Sequence, residues 1–419
     1  MSYKLVLLFL IVSIGLRAQD SLRIVFESAM SAKENGDNAL YLEQMLLANQ
    51  LRPNHQVIEY YVGSAYALSN DVLLAADFLR RSVVSKGDID LETNDFNLVK
   101  DSPSFKEVLA IQQDILQVVS NSETAFQIED LDFHAEGIAF DPKGDRFFIG
   151  SVHKNKIIEF NRTSGESNVF ATKQDGLWSV FGMKVDEQNR VLWVATTASK
   201  YMIGFDSTLV GKAAIFKYDL EKGGVKIIEL NDGVHHWFGD LTLDRRGNVY
   251  VSDSETNQIF IIEAGEEELS LFYANESIRS LQGLALSEDN EALFFSDYMK
   301  GVYRLDLEGH DVTLIDCQLD ISLKSIDGLY VSNNTLVTTQ NLVVPMRVSQ
   351  LLLNESGDEI IGVKYLEKNN PILNEPTLGT IVDGYFYYVA NSQWGAYNSD
   401  GTVNYDMLKP IQILKVPIN

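Results

Sequence analysis

The spacing of apolar residues changes once along the chain. From Asp20 to about Ser120 they recur at helical intervals. Leu22, Val25, Phe26 and Ala29 share one face, and Glu34–Asn35–Gly36–Asp37 makes a turn. Leu40, Met45, Leu46 and Ala48 continue a second helix, which Pro53 stops. Tyr60–Ala67 predicts a third helix, Ser69–Asn70–Asp71 a turn, and Leu73–Val84 a fourth. Beyond Asn121 the texture becomes short β-branched and aromatic runs separated by D-x-x-G and S-x-D-N turns. His134–Ala135–Glu136–Gly137–Ile138–Ala139–Phe140 opens this region, and Asp141–Pro142–Lys143–Gly144 turns it into a second strand.

The two regions repeat at different periods. Asp71 follows Asp37 by 34 residues, the period of a tetratricopeptide repeat, and Gly63, Ala65, Tyr66 and Ala76 are of the types such helix pairs need. The segment therefore resembles tetratricopeptide repeats, with Asp95–Leu98 and Ser102–Leu109 resembling their terminal helix. In the second region six candidate inner strands align on Ile138, Met183, Leu241, Leu284, Leu329 and Leu378, separated by 45, 58, 43, 45 and 49 residues. Each is followed by a turn, a second strand and an aromatic-rich third strand. Units of this length predict a six-bladed β-propeller, closed by Ala125–Ile128 joining the blade that holds the C-terminal strand. The expected organisation is mainly β: a signal peptide at 1–19, a small α-helical tetratricopeptide-like domain at 20–120, and the propeller at 125–419.

Composition narrows the function classes. A hydrophobic fraction of 45% suits a globular chain, and a net charge of −25 argues against nucleic acid or an anionic membrane as partner. Cys317 is the only cysteine, which removes disulfides and cysteine-based zinc sites. Lys4, the apolar run Leu5–Ile14 and the polar Gln19–Asp20 have the layout of a signal peptide, with cleavage after Ala18 or Gln19. The reading is an exported protein, periplasmic or extracellular, with no membrane span and with helices that offer a surface to a protein partner.

The chemistry falls at the ends of the inner strands, which line a propeller's channel. Two residues before each apolar marker stand Glu136, Phe181, Gly239, Gln282, Asp327 and Pro376, with Asp240 and Glu375 one residue away. Glu136, Gln282 and Asp327 supply oxygen donors from separate blades, as Ca²⁺ requires. No G-x-S-x-G, P-loop or H-E-x-x-H pattern supports a competing mechanism.

At these residues the chain resembles the SMP-30/gluconolactonase/LRE family, six-bladed propellers that hydrolyse lactones with a divalent metal, often Ca²⁺. Ala135–Glu136–Gly137 resembles its first-blade Glu-Gly, and Ser325–Ile326–Asp327–Gly328–Leu329 resembles its Asp-Gly-Leu. Leu281–Gln282–Gly283–Leu284 stands where the family has Asn-Gly-Leu, and Gly239 stands where it has a substrate-binding amide. The resemblance implies Glu136, Gln282 and Asp327 as metal ligands, with Asp327, or Asp240 nearby, acting on the attacking water. Trp237, Phe238, His236 and Trp394 are the candidate substrate-binding residues. The implied activity is hydrolysis of a lactone, sugar-derived or otherwise, or a related ester. The alternatives are a non-catalytic propeller that binds a structural Ca²⁺ or small ligand and recruits a partner, and a metal-free enzyme resembling strictosidine synthase.

Overall fold

A computed structural model describes residues 21–398 and 400–418. The predicted signal peptide over 1–19 lies outside the described residues. Two compact units divide the chain: helices up to Gln117 together with Asp320–Ser322, and the remainder from Val118 onward. No helix among the described residues is long and apolar enough to cross a membrane.

The first unit contains α1 (residues 21–34), α2 (Asn38–Leu51), α3 (Gln56–Leu68), α4 (Val72–Val83) and α5 (Pro103–Leu116). The two aspartates that set its period cap helices. Asp37 accepts from the Leu40 N–H and Asp71 from the Leu74 N–H, each at 3.1 Å, which satisfies donors that a helix start leaves open. Ser102 does the same for Phe105, with Pro103 in the first turn. Gly63 lets α3 and α4 pack closely, because a Cβ there would stand 2.7 Å from Leu79 Cγ.

The second unit is a six-bladed β-propeller of antiparallel sheets. Blade 1 comprises Ala135–Asp141, Arg146–Ser151, Lys156–Asn161 and Ser167–Ala171; blade 2 comprises Ser179–Asp186, Val191–Thr197, Ala213–Asp219 and Val225–Glu229. Blade 3 follows with Phe238–Leu243, Val249–Asp253, Gln258–Ile262 and Ser270–Ala274, and blade 4 with Leu281–Leu286, Ala292–Asp297, Gly301–Asp306 and Val312–Leu314. Blade 5 is Ile326–Ser332, Thr335–Gln340, Arg347–Leu353 and Glu359–Lys368, widened by Val119–Ser120 and Asp316–Cys317. Blade 6 is Gly379–Val382, Tyr385–Val389 and Ile411–Pro417, and its outer strand, Glu123–Ile128, comes from the other end of the unit. That pairing closes the ring and covers the edge that Ile411–Pro417 would otherwise expose. Phe148 and Phe216, fully buried between blades 1 and 2, typify the packing between neighbouring sheets, each worth about 1.5–3 kcal/mol of burial.

One local feature recurs and positions the chemistry. The inner strands of blades 1 to 5 all carry a β-bulge just ahead of the apolar marker. A bulge adds a residue, bends the strand and redirects a side chain. The bulged dipeptides are Glu136–Gly137, Phe181–Gly182, Gly239–Asp240, Gln282–Gly283 and Asp327–Gly328. Glycine in the second place lets adjacent inner strands touch: a Cβ on Gly137 would lie 2.0 Å from the Phe181 carbonyl oxygen, and one on Gly283 2.6 Å from that of Asp327. Blade 3 reverses the order. Asp240 there carries a side chain inward, next to the bare backbone of Gly182.

Candidate functional site

The bulges aim Glu136, Phe181, Gln282 and Asp327 at one cavity of about 330 Å³, to which Asp240, Glu375, Tyr298, Asn341, Trp237 and Trp394 contribute. No lysine, arginine or histidine is among its lining residues. Glu136 is buried, and its Oε2 accepts from Ser392 Oγ at 2.8 Å and from Trp394 Nε1 at 3.0 Å. Asp327 Oδ2 accepts from Asn341 Nδ2 at 2.9 Å, and the Tyr298 hydroxyl donates to Asn341 Oδ1, so the amide's orientation is fixed from both sides. Gln282 holds Ser280 weakly through Nε2, at 3.4 Å. Among the described residues no hydrogen bond engages Glu136 Oε1, Asp327 Oδ1 or Gln282 Oε1, and all three residues line the cavity. Phe181 lies 5.3 Å from Trp237 and 6.5 Å from Trp394, ring centre to ring centre, which gives the cavity an aromatic wall.

Burial and mutual repulsion oppose ionisation here. Burial raises Asp327 to about 7, the charges of Asp240 and Glu375 add to the rise, and only Asn341 counters it. Glu136 is raised well above the usual carboxylate range by burial and then by Asp327, against Ser392 and Trp394. Burial also raises Asp240, while Lys184 and the amides of Leu241 and Leu284 pull it back. A carboxylate group so crowded favours any cation that enters.

The structure separates the predicted residues. Glu136, Gln282, Asp327, Asp240, Trp237 and Trp394 all line the cavity. Phe238 does not: it is fully buried and packs with Phe260 and Leu241 in the core between blades 2 and 3. His236 is also withdrawn, its Nδ1 2.6 Å from Asp253 Oδ2 and its Nε2 3.0 Å from Asp232 Oδ1. Asp240 lines the cavity but has both oxygens engaged, Oδ1 by the Leu241 N–H at 2.8 Å and Oδ2 by the Leu284 N–H at 3.2 Å. It braces blade 3 against blade 4 rather than presenting a free base.

Tyr298, Asn341 and Ser254 are absent from the sequence reading, yet each is the residue immediately after its blade's second strand. That shared position is the signal that would have found them. Ser392 lies three residues past the equivalent strand of blade 6, where the loop is longer.

Among the described residues no group of three or more His, Cys, Asp or Glu side chains is placed to hold a metal ion. The predicted set contains two carboxylates, and its third donor is the Gln282 amide. By donor type the three fit a hard, oxygen-preferring cation, and such a cation would offset the burial and repulsion that raise Glu136 and Asp327.

No family model matches the sequence, and no curated protein matches it. Solved structures do. The major Malassezia sympodialis allergen Mala s 1 is 12% identical with a TM-score of 0.52, the alignment covering 69% of this chain and 95% of that one. Regucalcin from Agrobacterium tumefaciens, a calcium-binding protein, is 13% identical with a TM-score of 0.49, covering 72% and 97%. A luciferin-regenerating enzyme is 12% identical with a TM-score of 0.49, covering 72% and 95%. At such identities the likeness to Mala s 1 concerns the fold alone. Fold and site together define the chain as a six-bladed β-propeller with a carboxylate-lined channel mouth.

Proposed function

We propose that this mouth is the active site of a metal-dependent hydrolase acting on a lactone or related ester. One observation carries the reading: Glu136, Gln282 and Asp327, delivered by the same bulge on three blades, line one cavity with no cationic side chain among its lining residues. Those three would hold the cation, Ca²⁺ by preference. When bound, it would act as a Lewis acid toward the ester carbonyl.

The remaining work falls to the chain. Asp327 accepts the proton of a water that adds to the carbonyl carbon, and returns that proton to the ring oxygen as the C–O bond breaks, giving a hydroxy acid. Asn341, fixed by Tyr298, keeps the Asp327 carboxylate in one orientation. Ser392 and Trp394 do the same for Glu136. Phe181, Trp237 and Trp394 form a face against which the apolar side of a ring can lie. The placement of an exported enzyme follows from the signal-peptide pattern and belongs to the same proposal.

Calorimetric titration of the full chain with Ca²⁺ and Mg²⁺, beside Glu136→Gln and Asp327→Asn, tests the reading together with a lactone panel. The expected result is one bound ion in the wild type, weaker binding in both variants, and lactone opening that chelator abolishes. Absence of ion binding, or binding unaffected by both substitutions, refutes the metal site. An ion that binds while every lactone survives refutes the hydrolase.

A further inference from the structure

The six inner strands have a second end. One residue beyond each apolar marker stand Ala139, Lys184, Thr242, Ala285, Tyr330 and Gly379, of which Lys184 alone carries a charge. A strand rises about 3.3 Å per residue, so these positions lie about 10 Å along the channel from Glu136 and its equivalents. They lead into a different cavity, of about 570 Å³, lined by Lys184, Thr242, Tyr330, Leu243, Leu286 and Ile381 among others. More than half of its fifteen lining residues are aliphatic.

Lys184 has no hydrogen-bond or ion-pair partner among the described residues. Its Nζ lies 4.5 Å from the centre of the Tyr330 ring, and the Tyr330 hydroxyl is already committed, accepting the Gly379 N–H at 2.6 Å. Burial lowers the ammonium's pKa, and the only opposing influence is the more distant charge of Asp240. Glu288, the single carboxylate on the cavity wall, accepts the Asn333 N–H at 2.6 Å. Arg245 adds a second positive charge at the rim and bonds the Glu288 carbonyl. In a chain of net charge −25, a cavity with walls part polar and part aliphatic that carries two cations and one carboxylate stands apart.

We propose that this lower cavity is a binding site for a small aliphatic carboxylate. Its anion meets the Lys184 ammonium in the channel, and its chain packs on Leu243, Leu286, Val331 and Ile381. A half-buried ammonium without a partner bears part of the cost of lost hydration, and an organic anion supplies both the missing charge and an apolar chain for the aliphatic part of the walls. The volume is in the range of small-molecule sites. The site is separate from the carboxylate-lined mouth and does not depend on its function.

The test is calorimetric titration of the full chain with octanoate, and with 1-octanol as the uncharged comparison. Saturable binding of one octanoate is expected, with octanol at least about tenfold weaker, because hydrogen bonds to charged groups add roughly that factor or more. Lys184→Met should weaken octanoate by about tenfold to a hundredfold. Ile381→Trp, which fills the cavity and keeps the charge, should also weaken it, and it decides the matter if the first variant does not fold. Glu136→Gln should leave octanoate binding unchanged, so failure of this site is distinguishable from failure of the hydrolase reading. The proposal is overturned if octanoate does not bind, if octanol binds as well, or if a folded Lys184→Met binds octanoate like the wild type.

Discussion

The two ends of the inner strands are built from the same repeat and carry opposite chemistry. At one end each bulge turns a residue inward, and the inward residues of blades 1, 4 and 5 are Glu136, Gln282 and Asp327. At the other end the strands run straight, and Lys184 faces Thr242, Tyr330 and aliphatic neighbours. The bulged end gathers several acidic groups, and burial, with their repulsion added, raises Asp327 to about 7. The straight end holds one ammonium that burial pushes down. A repeated backbone, bulged at one end of its inner strands and straight at the other, therefore distributes unlike sites, and the side chain at one position per blade decides the chemistry.

The sharpest way to break this comparison is at Asp327. Asp327→Asn keeps the shape and the Asn341 contact but removes the proton acceptor. General-base groups contribute about 10²–10⁴-fold to rate, so lactone opening should fall by that much while the fold persists. A loss of only a few-fold, measured as kcat/KM under saturating Ca²⁺, would move the proton transfer to another group.

Next in size is the bulge itself. Gly137→Ala would place a Cβ 2.0 Å from the Phe181 carbonyl oxygen, whereas Gly239→Ala would find its nearest neighbour at 3.8 Å. Overpacking costs about 1–3 kcal/mol and occasionally more, and Gly137→Ala, facing backbone that cannot rotate away, belongs at the upper end. Gly239→Ala should be near neutral or slightly stabilising, by up to about 1 kcal/mol, through the unfolded chain. Urea melts of the two variants measure the difference, and equal melts would show that glycine at the bulge is not there for blade contact.

The repeat was legible because each blade contributes one apolar marker and a turn, and strand alternation follows with little help from distant contacts. Glu136, Gln282 and Asp327 were legible for the same reason: they occupy one column of the repeat. Phe238 was misread because the bulge interrupts alternation. Its own column, three before the marker, contains Ala135, Val180, Leu281 and Ile326 in the other bulged blades, all fully buried, so for those blades the core assignment was written in the pattern. Tyr298 and Asn341 were harder, since they sit in loops of unequal length where no hydrophobic period runs. Ser392 is held to Glu136 across 256 residues of chain, a contact that only closure of the ring creates.

His236 extends the comparison to a histidine that the repeat placed near the mouth and the fold withdrew from it. Burial opposes its charge, but Asp253 and Asp232 outweigh that and raise its pKa. Burial would raise Asp253, yet His236, Thr256 and the Trp237 N–H hold it low. A histidine raised on folding adds stability that is fully present below its ordinary value, about 6.5, and is lost as pH rises through the folded value. Asp253, lowered on folding, stays ionised over this range. His236→Asn should therefore cost about 1.5–3 kcal/mol at pH 5.5, the worth of a hydrogen bond to a charged group, and less at pH 8.5. Denaturant melts at the two pH values check the sign, and a gap that widens with pH would refute the charged pairing.

The smallest effect expected is at Tyr298. Its hydroxyl donates to Asn341 Oδ1, and the freed Nδ2 then meets Asp327 Oδ2 at 2.9 Å. Tyr298→Phe removes one neutral hydrogen bond, about 0.5–1.5 kcal/mol, and permits the Asn341 amide to rotate. If Tyr298 acts only through Asn341, the variant should lower kcat a few-fold and leave KM nearly unchanged. It should also raise the pH at which activity is half-maximal, because Asp327 loses the amide that favours its charge. A pH profile of kcat/KM separates this from simple loosening of the fold, which would lower activity at every pH without moving the midpoint.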